Sequence, residues 1–205
     1  MNALDPRKQR TIDALLSAAD SVFASLPFED VTVEAIAERA GVAIGSIYNN
    51  FGSKSGLYAA VIDRALDVDR EYMDRAYTPE RSPVEQLEAA GVQYLRFYLD
   101  QPEFFRMLAF PPPPGNYPAA AETAARLAQR VDEQNARMVD AIERGISQGT
   151  IRSVDARMAA TVLWASWNGV ISLAWRPDKL RADEQRLAEL LSVAAELIAL
   201  GLRQR

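Results

Sequence analysis

The sequence predicts an all-α protein in two parts, a small N-terminal three-helix domain followed by a larger helical one. Alanine, leucine, arginine and glutamate recur throughout the 205 residues while glycine and β-branched residues are modest, which favours helix over strand. No period-2 segment of useful length is present. The third observation is an interruption, "AGVAIGSIYNNFGSKSGL", with four glycines and one charge at Lys54, set between two strongly helical stretches.

Ile12, Leu15, Leu16, Ala19, Val22 and Phe23 follow the i, i+3, i+4, i+7 rule and predict an amphipathic helix over about Arg7 to Ser25, broken by "LPFEDV". Thr32 is a plausible N-cap for a second, short helix that buries Val33, Ile36, Ala37 and Ala40 and turns Glu34, Glu38 and Arg39 outward. Gly41 stands where a helix end needs a left-handed residue. A third short helix then directs Val42, Ile47 and Phe51 inward and Ser46, Tyr48, Asn49 and Asn50 away. Gly52 ends it, and Ser53 can cap a long fourth helix. Helix, short helix, glycine turn, short helix is the helix-turn-helix arrangement. Five further helices are expected at Ser82 to Asp100, Pro102 to Phe110, Ala119 to Ser147, Asp155 to Trp175 and Asp183 to Arg203, with "FPPPPGNYP" as the linker because consecutive prolines forbid helix. The domain boundary is placed between residues 54 and 55, giving a helix-turn-helix domain over 1–54 and a larger helical domain over 55–205.

Composition narrows the function. A formal charge of −5 argues against a surface coated in basic residues but leaves room for a local basic site. Cys and His are both absent, which removes disulfides, thiolate and imidazole chemistry and the commonest zinc ligands, so no metal and no cofactor is expected. Carboxylates such as Glu71 and Asp74 fall on exposed helical faces and suit ion pairing better than acid–base work, and no enzyme activity is expected. Arg7, Lys8 and Arg10 resemble the start of a signal peptide, yet Asp13 and Asp20 break the apolar run such a peptide needs, so a cytoplasmic protein is expected. Met158 to Trp175 is uncharged but carries Thr161, Ser166, Asn168, Gly169 and Ser172, and reads as a buried helix with no membrane partner.

A helix entering the major groove must approach base edges closely, which Ala43, Gly45 and Ser46 allow, while charge is needed at the rim, where Lys54 stands. The stretch "TVEAIAERAGVAIGSIYNNFGSKSGLYAAVI" resembles the DNA-binding domain of the TetR family of bacterial transcriptional regulators, with its short recognition helix ending in Tyr-x-x-Phe and then Ser-Lys. "WASWNGVISLAW" is similar to the Trp-His-Gly signature of one class of ligand domains in that family, with Asn168 in place of the histidine. The resemblance implies an all-α homodimer that binds operator DNA and is released by a small-molecule effector. It implies phosphate contacts from Thr32, Tyr48 and Lys54 and a recognition helix over Ala43, Ile44, Gly45, Ser46, Tyr48, Asn49 and Asn50. Ile44 replaces a residue that is often charged or polar, and Asn50 one that is commonly histidine. Arg7, Lys8 and Arg10 could track the DNA as an N-terminal arm.

A second site is expected where aromatics concentrate around the proline linker and the later helices. Phe97, Tyr98, Phe104, Phe105, Met107, Phe110 and Tyr117 cluster in sequence, and Trp164, Trp167 and Trp175 share one helix with a strip of Thr161, Ala165, Asn168 and Ser172. The expected lining of an effector pocket is Tyr94, Phe97, Met107, Phe110, Trp164, Trp167 and Asn168, taking an apolar or aromatic ligand. The last helix carries a broad apolar surface, Leu187, Leu190, Leu191, Ala194 and Ile198 widened by Val193, Leu197, Leu200 and Leu202, whose surplus predicts pairing across a two-fold axis. The alternative is a helical ligand-binding or adaptor protein of the same fold without operator binding.

Overall fold

A computed structural model describes residues 5–110 and 121–202. Pro111 to Pro118, Tyr117 among them, and the predicted helix start at Ala119 lie outside the described residues. Among those residues every regular element is helical: α1 (Pro6–Ser25), α2 (Val33–Ala40), α3 (Gly45–Phe51), α4 (Lys54–Ala76), α5 (Pro83–Asp100), α6 (Pro102–Ala109), α7 (Ala121–Ser147), α8 (Ala156–Ile171) and α9 (Glu184–Leu202), with 3-10 turns at Phe28–Asp30 and Ser172–Trp175. No described helix is long and apolar enough to cross a membrane. The chain divides into two compact units, Met1–Asp67 with Glu103–Gln129, and Val68–Pro102 with Arg130–Arg205.

In the first unit local signals set each boundary. Asp5 caps α1 by accepting from the Arg7 N–H at 2.9 Å, ahead of Pro6, which needs no donor there. The Thr32 Oγ1 accepts from the Ala35 N–H at 3.2 Å, and Gly41 ends α2 at φ 67°. Gly52, at φ 75°, ends α3, and the Ser53 hydroxyl accepts from the Gly56 N–H at 3.0 Å to start α4. Leu15, Ile36, Ile47, Leu57 and Val61 are fully buried where α1 packs on α2 and α3, each stabilising the unit by about 1.5–3 kcal/mol. Tyr58 meets Phe23 and Phe28 edge-on at 5.0 and 5.5 Å, closing one end of this core.

The second unit is built on α5, α8 and α9, which pack on one another. Ser82 and Glu85 form a reciprocal capping box at the start of α5, and the Asp155 carboxylate caps α8 by accepting from the Met158 N–H at 2.8 Å. The predicted helix to Trp175 stops at Ile171 and tightens into the second 3-10 turn. Arg176 precedes Pro177 and is held extended, so the α path cannot continue. Phe97 and Tyr94 lie in the core, Phe97 against the Tyr72 ring at 5.6 Å and Tyr94 against Trp167 at 5.8 Å.

Candidate DNA interface and effector cavity

The outward face of α3 and of the residues leading into it is uncharged. Ala43, Ile44, Gly45, Tyr48 and Asn49 are exposed, Tyr48 to 51%, while Ile47 on the opposite side is fully buried and fixes α3 to the core. A side chain at Gly45 would meet nothing within 4 Å, so this face is open to whatever docks on it. The two asparagines differ. Asn49 is exposed, whereas Asn50 is half-buried and its amide donates back to the Ser46 carbonyl at 2.7 Å, an i−4 bond within α3. Ser46 is half-buried, and Thr32 uses its side-chain oxygen as an N-cap acceptor, which leaves the hydroxyl proton for another partner.

Lys54 departs from the expectation of a cation projecting from the rim. Its Nζ donates to the carbonyls of Phe28 at 2.7 Å and Val31 at 2.8 Å and lies 4.2 Å from the centre of the Phe28 ring. The ammonium therefore fastens the 3-10 turn between α1 and α2 to the start of α4. A cation in the first turn of a helix opposes the helix dipole, and the two carbonyls relieve that. Arg7, Lys8 and Arg10 fall within α1, as the helix predicted over about Arg7 to Ser25 requires. They are exposed in the first turns of α1, where the Asp5 cap and Pro6 make the backbone helical. Gly56 escaped sequence reasoning altogether. A Cβ there would lie 2.0 Å from the Phe51 carbonyl oxygen, so the close seating of the α3 C-terminus on α4 depends on glycine.

The predicted pocket residues separate into different environments. Met107 and Phe110 line a cavity of about 250 Å³ in the first unit, together with Phe23, Phe28 and Tyr58. Of the other five, Trp167 alone lines the large cavity of the second unit, about 580 Å³ between α5, α8 and α9. Tyr94, Phe97 and Asn168 are buried behind it, the Tyr94 hydroxyl donating to Asn168 Oδ1 at 2.9 Å. Trp164 is half-buried and hydrogen-bonded to Tyr94, while Thr161 and Ala165 face outward, so the small and polar strip of α8 is no cavity wall. The cavity walls are instead Leu87, Val92 and Leu95 of α5, Leu163 of α8, and Leu191 and Ala195 of α9. Gly91 explains why the tryptophan reaches the floor: a Cβ there would press to 3.3–3.4 Å on the indole.

Near enough to Tyr94 to act on its hydroxyl lies a buried carboxylate. Asp69 is 9% exposed and accepts from the Gln134 amide at 3.0 Å, while its Oδ1 has no hydrogen-bond partner. Burial pushes its carboxyl up to about 7, against the pull of the Arg137 guanidinium. In the first unit burial likewise raises Asp20 to about 6, with Arg64, 3.3 Å away, opposing and Glu103 adding to the rise.

Two family models match this chain in the order of its two parts: one described as bacterial regulatory proteins of the tetR family, over residues 15–61, and one described as a tetracyclin repressor-like C-terminal domain, over residues 87–196. The second spans more than half of the sequence. The chain belongs to the TetR family. Among curated relatives, the HTH-type transcriptional regulator RutR of Escherichia coli strain K12 is 29% identical over 200 residues, covering 94% of this chain and 90% of the relative. Two solved structures share the fold: the TetR family regulator PfmR of Thermus thermophilus (TM-score 0.75, 23% identity, 93% and 99% of the two chains) and FadR of Bacillus subtilis in complex with stearoyl-CoA (TM-score 0.77, 18% identity, 93% and 99%). This TetR family protein is thus a DNA-binding transcription regulator with an N-terminal helix-turn-helix and a larger C-terminal helical domain, both expected from its sequence.

Proposed function

We propose that the protein is a ligand-responsive repressor that binds a palindromic operator as a homodimer and leaves it when a small effector fills the cavity of the second unit. The observation that carries the DNA reading is the exposed face of Ala43, Ile44, Gly45, Tyr48 and Asn49, held at a fixed pitch by buried Ile47. With neither Arg nor Lys between Val42 and Asn50, the bidentate guanine contact is missing from this helix. Specificity then rests on the Asn49 amide pairing with adenine and on methyl contacts from Ala43 or Ile44 to thymine, so A·T pairs are preferred under α3. Tyr48 and Thr32 serve as phosphate contacts.

The pairing of two copies is supported by apolar stripes that α8 and α9 leave uncovered. Met158, Val162, Ala165 and Gly169 repeat at helical spacing on α8, and Leu190, Val193 and Leu197 on α9, with Val162 58% and Leu197 65% exposed. A four-helix bundle across a two-fold axis covers both. The effector reading is supported by the cavity itself, whose walls are mostly aliphatic with Trp167 at the floor.

The test combines light scattering with binding to DNA from upstream of the gene, followed by selection of preferred sites from random sequence at two salt concentrations. A dimer recovering a palindrome with A·T pairs at its centres of contact supports the reading. A monomer at micromolar concentration, or a G·C-only motif, refutes it, and a dimer that ignores DNA at moderate salt would favour the alternative, a ligand-binding protein of the same fold.

A further inference from the structure

The large cavity carries a charge pattern that its apolar walls do not explain. Two carboxylates line it, Glu88 on α5 and Glu196 on α9, together with the hydroxyls of Thr150 and Ser192, and no Lys or Arg is among its lining residues. Neither glutamate has a hydrogen bond or ion pair among the described residues. Arg152, near the Leu202 end, turns its Nε onto the Gly201 carbonyl at 2.6 Å. Both carboxylates are exposed and so stand at the mouth of the cavity, where two like charges on facing helices leave a negative potential that no lining cation offsets. The Trp167 indole is 2% exposed and Gly91 packs against it, so it serves as apolar wall and takes no part in the charge pattern.

We propose that this cavity takes an amphiphilic cation: an apolar body laid along Leu87, Leu95, Leu163 and Leu191, with an ammonium or amidinium group between Glu88 and Glu196. The inference deepens the effector reading above and rests on it. A phosphorylated or carboxylate ligand is disfavoured, because nothing lining the cavity would neutralise it. A neutral lipid would fill the walls but leave the two carboxylates uncompensated.

Three probes of one chain length separate these cases: decyltrimethylammonium, decan-1-ol and decanoate, each below micelle formation, titrated into the full-length protein by calorimetry and tryptophan fluorescence. Expected is tightest binding of the cation, weakest of the anion. In the double variant Glu88→Gln/Glu196→Gln the cation should lose about tenfold or more in Kd while decan-1-ol changes little. Glu71→Gln, on an exposed face elsewhere, controls for net charge. Ala195→Trp, which fills the cavity, should abolish binding of every probe while the melting temperature reports that the chain is folded. If decan-1-ol matches the cation in the wild type, or the double variant keeps the cation preference, the charge assignment is overturned while a cavity blocked by Ala195→Trp still stands as the effector site. If no probe binds the wild type, or Ala195→Trp leaves binding intact, the effector site itself falls and the inference with it.

Discussion

Replacing Lys54 with Met tests whether its ammonium holds the fold or the DNA. The methionine keeps an unbranched stem and removes the charge. Lost are two hydrogen bonds from a charged donor, to the Phe28 and Val31 carbonyls at 2.7 and 2.8 Å, each worth about 1.5–3 kcal/mol. The contact over the Phe28 ring adds about 0.5–1 kcal/mol. The site is half-buried, so water re-solvates part of what is exposed, and the net loss comes to about 2–3 kcal/mol, or a fall in Tm of about 5–10 °C for a chain of this size. Urea unfolding followed by circular dichroism gives the stability, and operator titration across a range of salt gives the number of phosphates neutralised. The expected result is a lower midpoint with an unchanged m-value. A midpoint equal to wild type, combined with a log–log salt slope shallower by about one counterion, would show that the ammonium serves the DNA and would refute the structural assignment.

Other substitutions probe the rest. Gly56→Ala forces a methyl against the Phe51 carbonyl and should cost about 2–4 kcal/mol or displace α3, with operator affinity falling alongside Tm; wild-type behaviour in both assays would contradict the contact. Asn49→Ala should cost about 1–3 kcal/mol of operator binding and relax one base position, whereas Asn50→Ala, whose amide is already bonded within α3, should leave the selected motif unchanged. Asp69 holds its proton more tightly folded than unfolded, so its contribution to stability is complete below about pH 4 and is lost as pH rises through about 7. Asp69→Asn should therefore be more stable than wild type at pH 8, by up to about 4 kcal/mol, and no more stable at pH 4; equal stability of the two proteins at both pH values would remove the buried-carboxylate account.

Much of the N-terminal domain was legible because its signals are local. Thr32, Gly41, Gly52 and Ser53 act on backbone groups within four residues of themselves, and such caps can be read without knowing the fold. The Asn50 back-bond also spans only four residues, yet the sequence pattern turned Asn50 outward with Asn49 and did not show it. The orientation of Lys54 was not legible, because its carbonyl partners lie 23 and 26 residues earlier, in a turn only tertiary packing brings near. The effector set failed for a related reason. Aromatic enrichment reports that large side chains are buried somewhere, but Met107 and Phe110 belong with the first unit and Trp167 with the second, a partition decided by long-range packing. Glu88 and Glu196 were passed over because a charge on a helix surface reads as solvation until a cavity is seen beside it.

The last helix has two working sides. Ala188, Leu191, Ser192, Ala195 and Glu196 look into the cavity, while Leu190, Val193 and Leu197 lie about half a turn round the same nineteen residues. Substitutions can therefore accumulate on the inner side, altering which molecule is recognised, without touching the positions that would match one subunit to another. Paralogues within one cell could diverge in what they sense while keeping α9 surfaces that still exchange subunits, and insulation between them would then require changes at Leu190, Val193 or Leu197 rather than in the cavity.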